Sequence, residues 1–116
     1  MTQNSTLTAE TIIRNPDHRI IVSSASAWEI ATKYRIGKLP EAKQLVEQYS
    51  QILHQTKFIE LAITTAHALR AGSLLIAHRD PFDRMIMAQA EVEGLPVITY
   101  DAAFQTGLIQ VIADLK

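Results

Sequence analysis

Four carboxylates have the type and placement to act on a phosphate: Glu29, Asp80, Asp83 and Asp101. Carboxylates gathered at one point repel one another and stay ionised together only when a cation or basic groups compensate. The chain has no cysteine, so the donors would be hard oxygens, which suit Mg²⁺ or Mn²⁺ better than zinc. An ion held this way polarises a phosphodiester, lowers the pKa of a bound water and steadies the leaving oxygen. Each acid also has a plainer reading. Ser26-Ala27-Trp28-Glu29 fits the S-x-x-E capping box of a helix start. Asp80 precedes Pro81 and could cap the following helix. Asp83 would lie in that helix's first turn, where the helix dipole favours any carboxylate. Asp101 follows an apolar run and could begin an Asx-turn.

The elements that must position these acids follow from pattern. Residues 6–14 read as a short helix ended by the turn signal Asn15-Pro16-Asp17. Residues 19–23 are rich in β-branched side chains and read as a buried strand. Residues 24–34 read as a helix with an apolar stripe of Ala27, Trp28, Ile30, Ala31 and Tyr34, punctuated by Gly37 and Pro40. Residues 41–55 read as one further helix, 58–63 as a strand, and Thr64 or Thr65 as the cap of a helix running to about Gly72. A helix over 82–93 should stop at Gly94. A strand over 95–100, a short turn or helix over 101–106 and a strand over 108–112 complete the order. Strands alternating with helices predict an α/β fold with a mostly parallel sheet, whose strand ends meet in one crevice. On that expectation Glu29, Asp83 and Asp101 share a cleft.

Bulk properties narrow the classes. The 116 residues are 47% hydrophobic and 20% charged, which predicts one globular domain over 1–116 rather than a disordered chain. No apolar run approaches the ~18 residues of a membrane span, and the first six residues do not read as a secretory signal. The absence of cysteine suits a reducing, cytoplasmic setting. Net charge is −1, yet ten of the eleven Lys and Arg fall in residues 1–84. The functional reading of that skew is a basic rim of Lys33, Arg35, Lys38 and Lys43 for phosphates, with His78 and Arg79 as further substrate contacts; the plain reading is solvated faces. His18, His54 and His67 read as surface or boundary residues. Met85 and Met87 read as core. Trp28 could stack a base, but core packing is the leading expectation. Ser23, Ser24 and Ser26 lack the His and Asp partners of a serine nucleophile.

Three runs carry a resemblance: Val22-Ser23-Ser24-Ala25-Ser26-Ala27-Trp28-Glu29-Ile30-Ala31 continued by Lys33-Tyr34-Arg35-Ile36-Gly37-Lys38-Leu39-Pro40; His78-Arg79-Asp80-Pro81-Phe82-Asp83-Arg84-Met85-Ile86-Met87-Ala88-Gln89-Ala90; and Gly94-Leu95-Pro96-Val97-Ile98-Thr99-Tyr100-Asp101-Ala102-Ala103-Phe104. In this order they resemble PIN domains of the VapC toxin type, also labelled PilT N-terminus-like. The resemblance implies a three-layer α/β/α sandwich, endoribonuclease activity with Mg²⁺ or Mn²⁺, RNA as substrate, a cognate antitoxin protein as partner and homodimerisation. It implies catalytic and metal-binding roles for Glu29, Asp83 and Asp101, with Asp80 nearby and Thr99 helping to arrange the last aspartate.

One departure qualifies these expectations. Family members begin with a central strand ending in an aspartate and a D-T-H-x-x-L-W-like segment, and residues 1–19 hold nothing similar. The sequence therefore leads to a PIN-like sandwich lacking its first strand, with weak metal binding and impaired cleavage. The alternative is an inactive RNA- or antitoxin-binding module.

Overall fold

The computed structural model describes residues 13–15, 17–99, 104, 106–107 and 111–112. The chain divides into two compact units, residues 19–64 and residues 65–116 together with 1–18. Strand pairing is parallel in both units, and helices follow or precede the strands, as the alternating pattern predicts.

In the 19–64 unit, β1 (Ile21–Ser23) pairs in parallel with β2 (Ile59–Leu61), Ile21 opposite Ile59 and Ser23 opposite Leu61. Upstream, the turn signal is realised: Asn15 Oδ1 accepts from the Asp17 N–H at 2.9 Å and the Asn15 carbonyl from His18 at 3.0 Å. Helix α1 (Ser24–Arg35) follows β1 directly. Its N-cap is Ser23, whose hydroxyl accepts from the Ala25 N–H at 2.9 Å. The expected capping box at Ser26 and Glu29 is thus displaced: an extended Ser23 ends the strand and supplies the cap three residues earlier. The predicted helix over 41–55 is broken into a 3₁₀ turn at Pro40–Ala42, α2 (Lys43–Glu47) and α3 (Tyr49–Thr56). Gln48 lies between the last two with ψ 25, which interrupts the regular ladder. Lys57 then ends α3 in the left-handed region at φ 62.

This unit buries little. Ala25 and Ala42 are its enclosed apolar residues among those described. The strand expected to be buried leaves Ile21 exposed, and β1 finds its described pairing only with β2. Trp28, expected in the core, is 54% exposed. The helix buries the small Ala25 most deeply; of the stripe anticipated from Ala27 to Tyr34, Ala27, Ile30 and Tyr34 are half-buried and Trp28 and Ala31 are exposed.

The second unit is organised by two helices, α4 (Thr65–Ser73) and α5 (Pro81–Glu93). His67, Ala71 and Leu74 are buried at i, i+4 and i+7, one stripe of a helix. Against them α5 buries Met87, Ala88, Gln89 and Ala90 in succession. Ala71, Leu74, Met87, Ala88 and Phe104 form one core cluster, flanked by Ile76, Met85, Ile86 and Val97. The small Ala88 lets the helices approach, while Met87 fills the gap between them. Helix α5 ends where predicted, with Gly94 at φ 68 and the Leu95 N–H reaching back to the Ala90 carbonyl at 2.9 Å. That Schellman-type closure requires the left-handed residue. Strand β3 (Val97–Ile98) then pairs in parallel with β4 (Val111–Ile112); β3 is shorter than the run predicted over 95–100, and residues 108–110 of the last predicted strand lie outside the described residues.

His67 corrects the sequence reading most sharply. Expected at the surface or an element boundary, it is wholly buried, with Nε2 2.8 Å from Glu93 Oε2 and Nδ1 3.4 Å from Gln89 Nε2. An Nε2-protonated imidazole would donate to Glu93 and accept from the Gln89 amide, leaving neither ring nitrogen unsatisfied. No helix among the described residues is long and apolar enough to cross a membrane.

Candidate active site

The site is assembled around the segment from Leu74 to the first turn of α5. Asp80 is extended at φ −64, ψ 116, and its Oδ1 accepts from the N–H groups of Phe82 at 2.9 Å and Asp83 at 3.3 Å. Pro81 occupies the first helical position, where its missing N–H costs nothing. Asp80 therefore serves as the N-cap, the plainer of its two predicted roles. Capping fixes the start of α5, and so fixes Asp83 one turn in. Asp83 Oδ2 lies 2.7 Å from His78 Nε2, a part-buried contact. An Nε2–H imidazole donates to the carboxylate and sets its orientation; a protonated ring would add charge to the same bond.

Arg84 holds this segment in place. Its Nε donates to the Ala71 carbonyl at 3.1 Å and its Nη2 to the same oxygen at 2.8 Å and to Leu74 at 2.9 Å. Its Nη1 donates to the carbonyls of Ile76 at 3.3 Å and His78 at 3.0 Å. The end of α4 leaves carbonyls without helical partners, and the irregular 74–80 run adds more. A planar guanidinium with five N–H donors can satisfy several at once, which an ammonium cannot do in the same geometry. The only sequence signal was an arginine directly after the candidate acid.

On the same pair of helices, Arg70 grips Glu91 through two bonds, Nε to Oε1 and Nη2 to Oε2, the latter at 3.1 Å. Hydrogen bonding to Arg70 holds the Glu91 carboxyl below its usual range, and the same bond raises the arginine. The pair is about a third exposed, so it belongs to the surface of this unit rather than to a sealed site.

The other expected residues sit as follows. Glu29 belongs to α1 in the 19–64 unit, where Lys33 Nζ donates to its Oε2 at 2.8 Å. Lys33, proposed from sequence as a phosphate contact, is thus engaged one turn from Glu29. Arg35 and Arg79 are exposed, and His78, a candidate substrate contact, is turned to Asp83. Thr99 is half-buried directly after β3. Asp101 lies outside the described residues. Among the described residues, no three His, Asp or Glu side chains come together to hold a metal ion. The donor chemistry nonetheless fits a hard cation: the candidate acids are oxygen donors, and no thiolate is present.

Comparison with known proteins agrees with this architecture. The chain matches the PIN domain over residues 2–106, which runs through both compact units, and it belongs to the PIN-domain family. It is also 34% identical over 65 residues to ribonuclease VapC16 of Mycobacterium tuberculosis, a match spanning 53% of this chain and 46% of that protein. The α/β elements with parallel pairing are those expected of a PIN-like fold.

Proposed function

We propose that this chain acts as a VapC-type endoribonuclease on RNA, with Glu29, Asp83 and Asp101 as its catalytic and metal-binding acids. The observation that carries the reading is Asp83, a carboxylate placed by a capped helix start, oriented by His78 and backed by the Arg84 clamp, within a chain that matches the PIN domain. Glu29, Asp83 and Asp101 would hold Mg²⁺ or Mn²⁺, which supplies phosphate polarisation and an activated water when bound. Asp80 keeps the helix start in register, and Thr99 would steady the segment leading to Asp101. Arg35 and Arg79 offer exposed cations to the substrate backbone.

Metal binding should be weak. Glu29 has Lys33 and Asp83 has His78 at hydrogen-bond distance, so a cation must compete with a partner already in place. Titration calorimetry with Mn²⁺ should give a weak or undetectable response, and tight stoichiometric binding would contradict this. A cognate antitoxin protein, a homodimer and a cytoplasmic location belong to the same reading and are supported by the family resemblance. The function itself is tested by cleavage of labelled single-stranded RNA, which should require a divalent ion and be lost in Asp83→Asn.

A further inference from the structure

The geometry of α1 points to a second nucleic-acid contact, and we propose that its exposed face binds single-stranded RNA by stacking an unpaired base on Trp28. Trp28, Ala31 and Arg35 follow one another at i, i+3 and i+7, so they share one stripe of the helix. All three are exposed. Trp28 is 54% exposed, although tryptophan is usually among the more buried residues. Ala31 adds little bulk to the stripe, and Arg35 closes it with a planar cation that can stack or meet phosphate.

Charge favours a polyanion over an apolar partner at this face. Between residues 33 and 43, four basic side chains stand against Glu41 alone. Lys33 is engaged with Glu29, and Arg35, Lys38 and Lys43 are further exposed cations. The chain turns at Gly37, at φ 82, and the Lys38 N–H returns to the Lys33 carbonyl at 2.9 Å. That bond keeps the Lys38 backbone beside the end of α1. An aromatic platform followed by a track of cations is the arrangement that holds unpaired bases with little sequence preference. A duplex hides its base faces and cannot use the ring, so the surface selects single strands. The choice of RNA over DNA rests on the ribonuclease reading; the stacking surface does not.

Trp28 is the one tryptophan in the chain, so its emission reports on this face directly. The full chain in EDTA, which prevents metal-dependent cleavage, is titrated with a twelve-nucleotide single-stranded RNA and with a duplex of the same sequence. The single strand should quench Trp28 emission saturably and the duplex much less. With a labelled oligonucleotide, Trp28→Ala should weaken binding about tenfold, while Trp28→Phe, which keeps a ring, should recover most of it. Arg35→Gln and Lys38→Gln should each reduce the logarithmic salt slope by about 0.7. Circular dichroism checks that each variant is folded. Absence of binding, binding without quenching, equal affinity of Trp28→Ala, or equal quenching by the duplex would overturn the proposal. So would an emission change that follows protein concentration rather than RNA, since the face would then meet another copy of the chain. Quenching without cleavage in Mn²⁺ would leave this surface standing and remove the ribonuclease reading. Metal-dependent cleavage with an unresponsive Trp28 would do the reverse.

Discussion

The two compact units hold their acids by different means. Among the described residues from Thr65 onward, Asp80 accepts from two backbone amides, Asp83 contacts His78 on the Arg84-clamped segment, and Glu91 meets Arg70 through a two-pronged bond. In residues 19–64, Glu29 pairs with Lys33 one turn away on the same helix, and the Lys33 side chain is 46% exposed. One unit rests on a cluster of larger apolar side chains around Met87, the other on Ala25 and Ala42. The contrast teaches that a carboxylate's precision depends on how well its partner is anchored, since a salt bridge between two mobile side chains contributes little.

Arg84→Ala should break this contrast most severely. It strips donors from the carbonyls of Ala71, Leu74, Ile76 and His78, and unsatisfied part-buried groups cost roughly 1–3 kcal/mol each before relaxation and water entry. A net loss of about 3 kcal/mol is expected in urea unfolding. Hydrogen exchange should rise selectively over residues 74–80. Arg84→Lys should recover little, because an ammonium cannot reproduce the fork. Trp28→Ala, in the 19–64 unit, should stay within about 0.5 kcal/mol. Similar losses at the two positions would erase the distinction.

A smaller effect separates the acids themselves. Asp80→Ala removes an N-cap and should destabilise by about 1 kcal/mol. Glu29→Gln removes a pair of the i, i+4 kind and should cost about 0.3 kcal/mol. Thermal unfolding of both variants would sharpen the comparison, and a larger loss at Glu29 would reverse it.

The smallest effect is a pH dependence. Glu91 is held below the usual carboxylate value of 4.5 by Arg70. A carboxyl whose folded pKa is depressed adds stability above its unfolded pKa, and that contribution is lost as pH falls through the folded value. Glu91→Gln should therefore be less stable than the parent near neutrality, with the gap closing below about pH 4. A gap that widens on acidification would show that the pair does not act this way.

Much of this was legible in the residues, for local reasons. Asp80-Pro81 announced a helix start and Gly94 its end because caps and left-handed residues depend on near neighbours. The α/β alternation followed from periodicity in the same way. What escaped was long-range. His67 is buried by contacts to Gln89 and Glu93, 22 and 26 residues away, and nothing in Thr65-Ala66-His67 reveals them. The role of Arg84 depends on carbonyls up to 13 residues earlier. Trp28 is exposed where core packing was expected, because hydrophobic spacing specifies an apolar stripe but not how deeply each of its members is covered. Asp101 was legible as a candidate, but lies outside the described residues.

The central claim, that Asp83 and Glu29 serve one metal-dependent reaction on RNA, is tested most directly by single-turnover cleavage of a labelled single-stranded RNA. The parent chain, Asp83→Asn and Glu29→Gln are compared in Mn²⁺ and in EDTA, with circular dichroism confirming that all three are folded. The account predicts slow cleavage by the parent that EDTA abolishes and that each substitution reduces by about a hundredfold or more, because a loosened or misplaced ion costs that much in rate. Cleavage that persists in EDTA, that survives either substitution, or that is absent from the parent at high Mn²⁺ would contradict it.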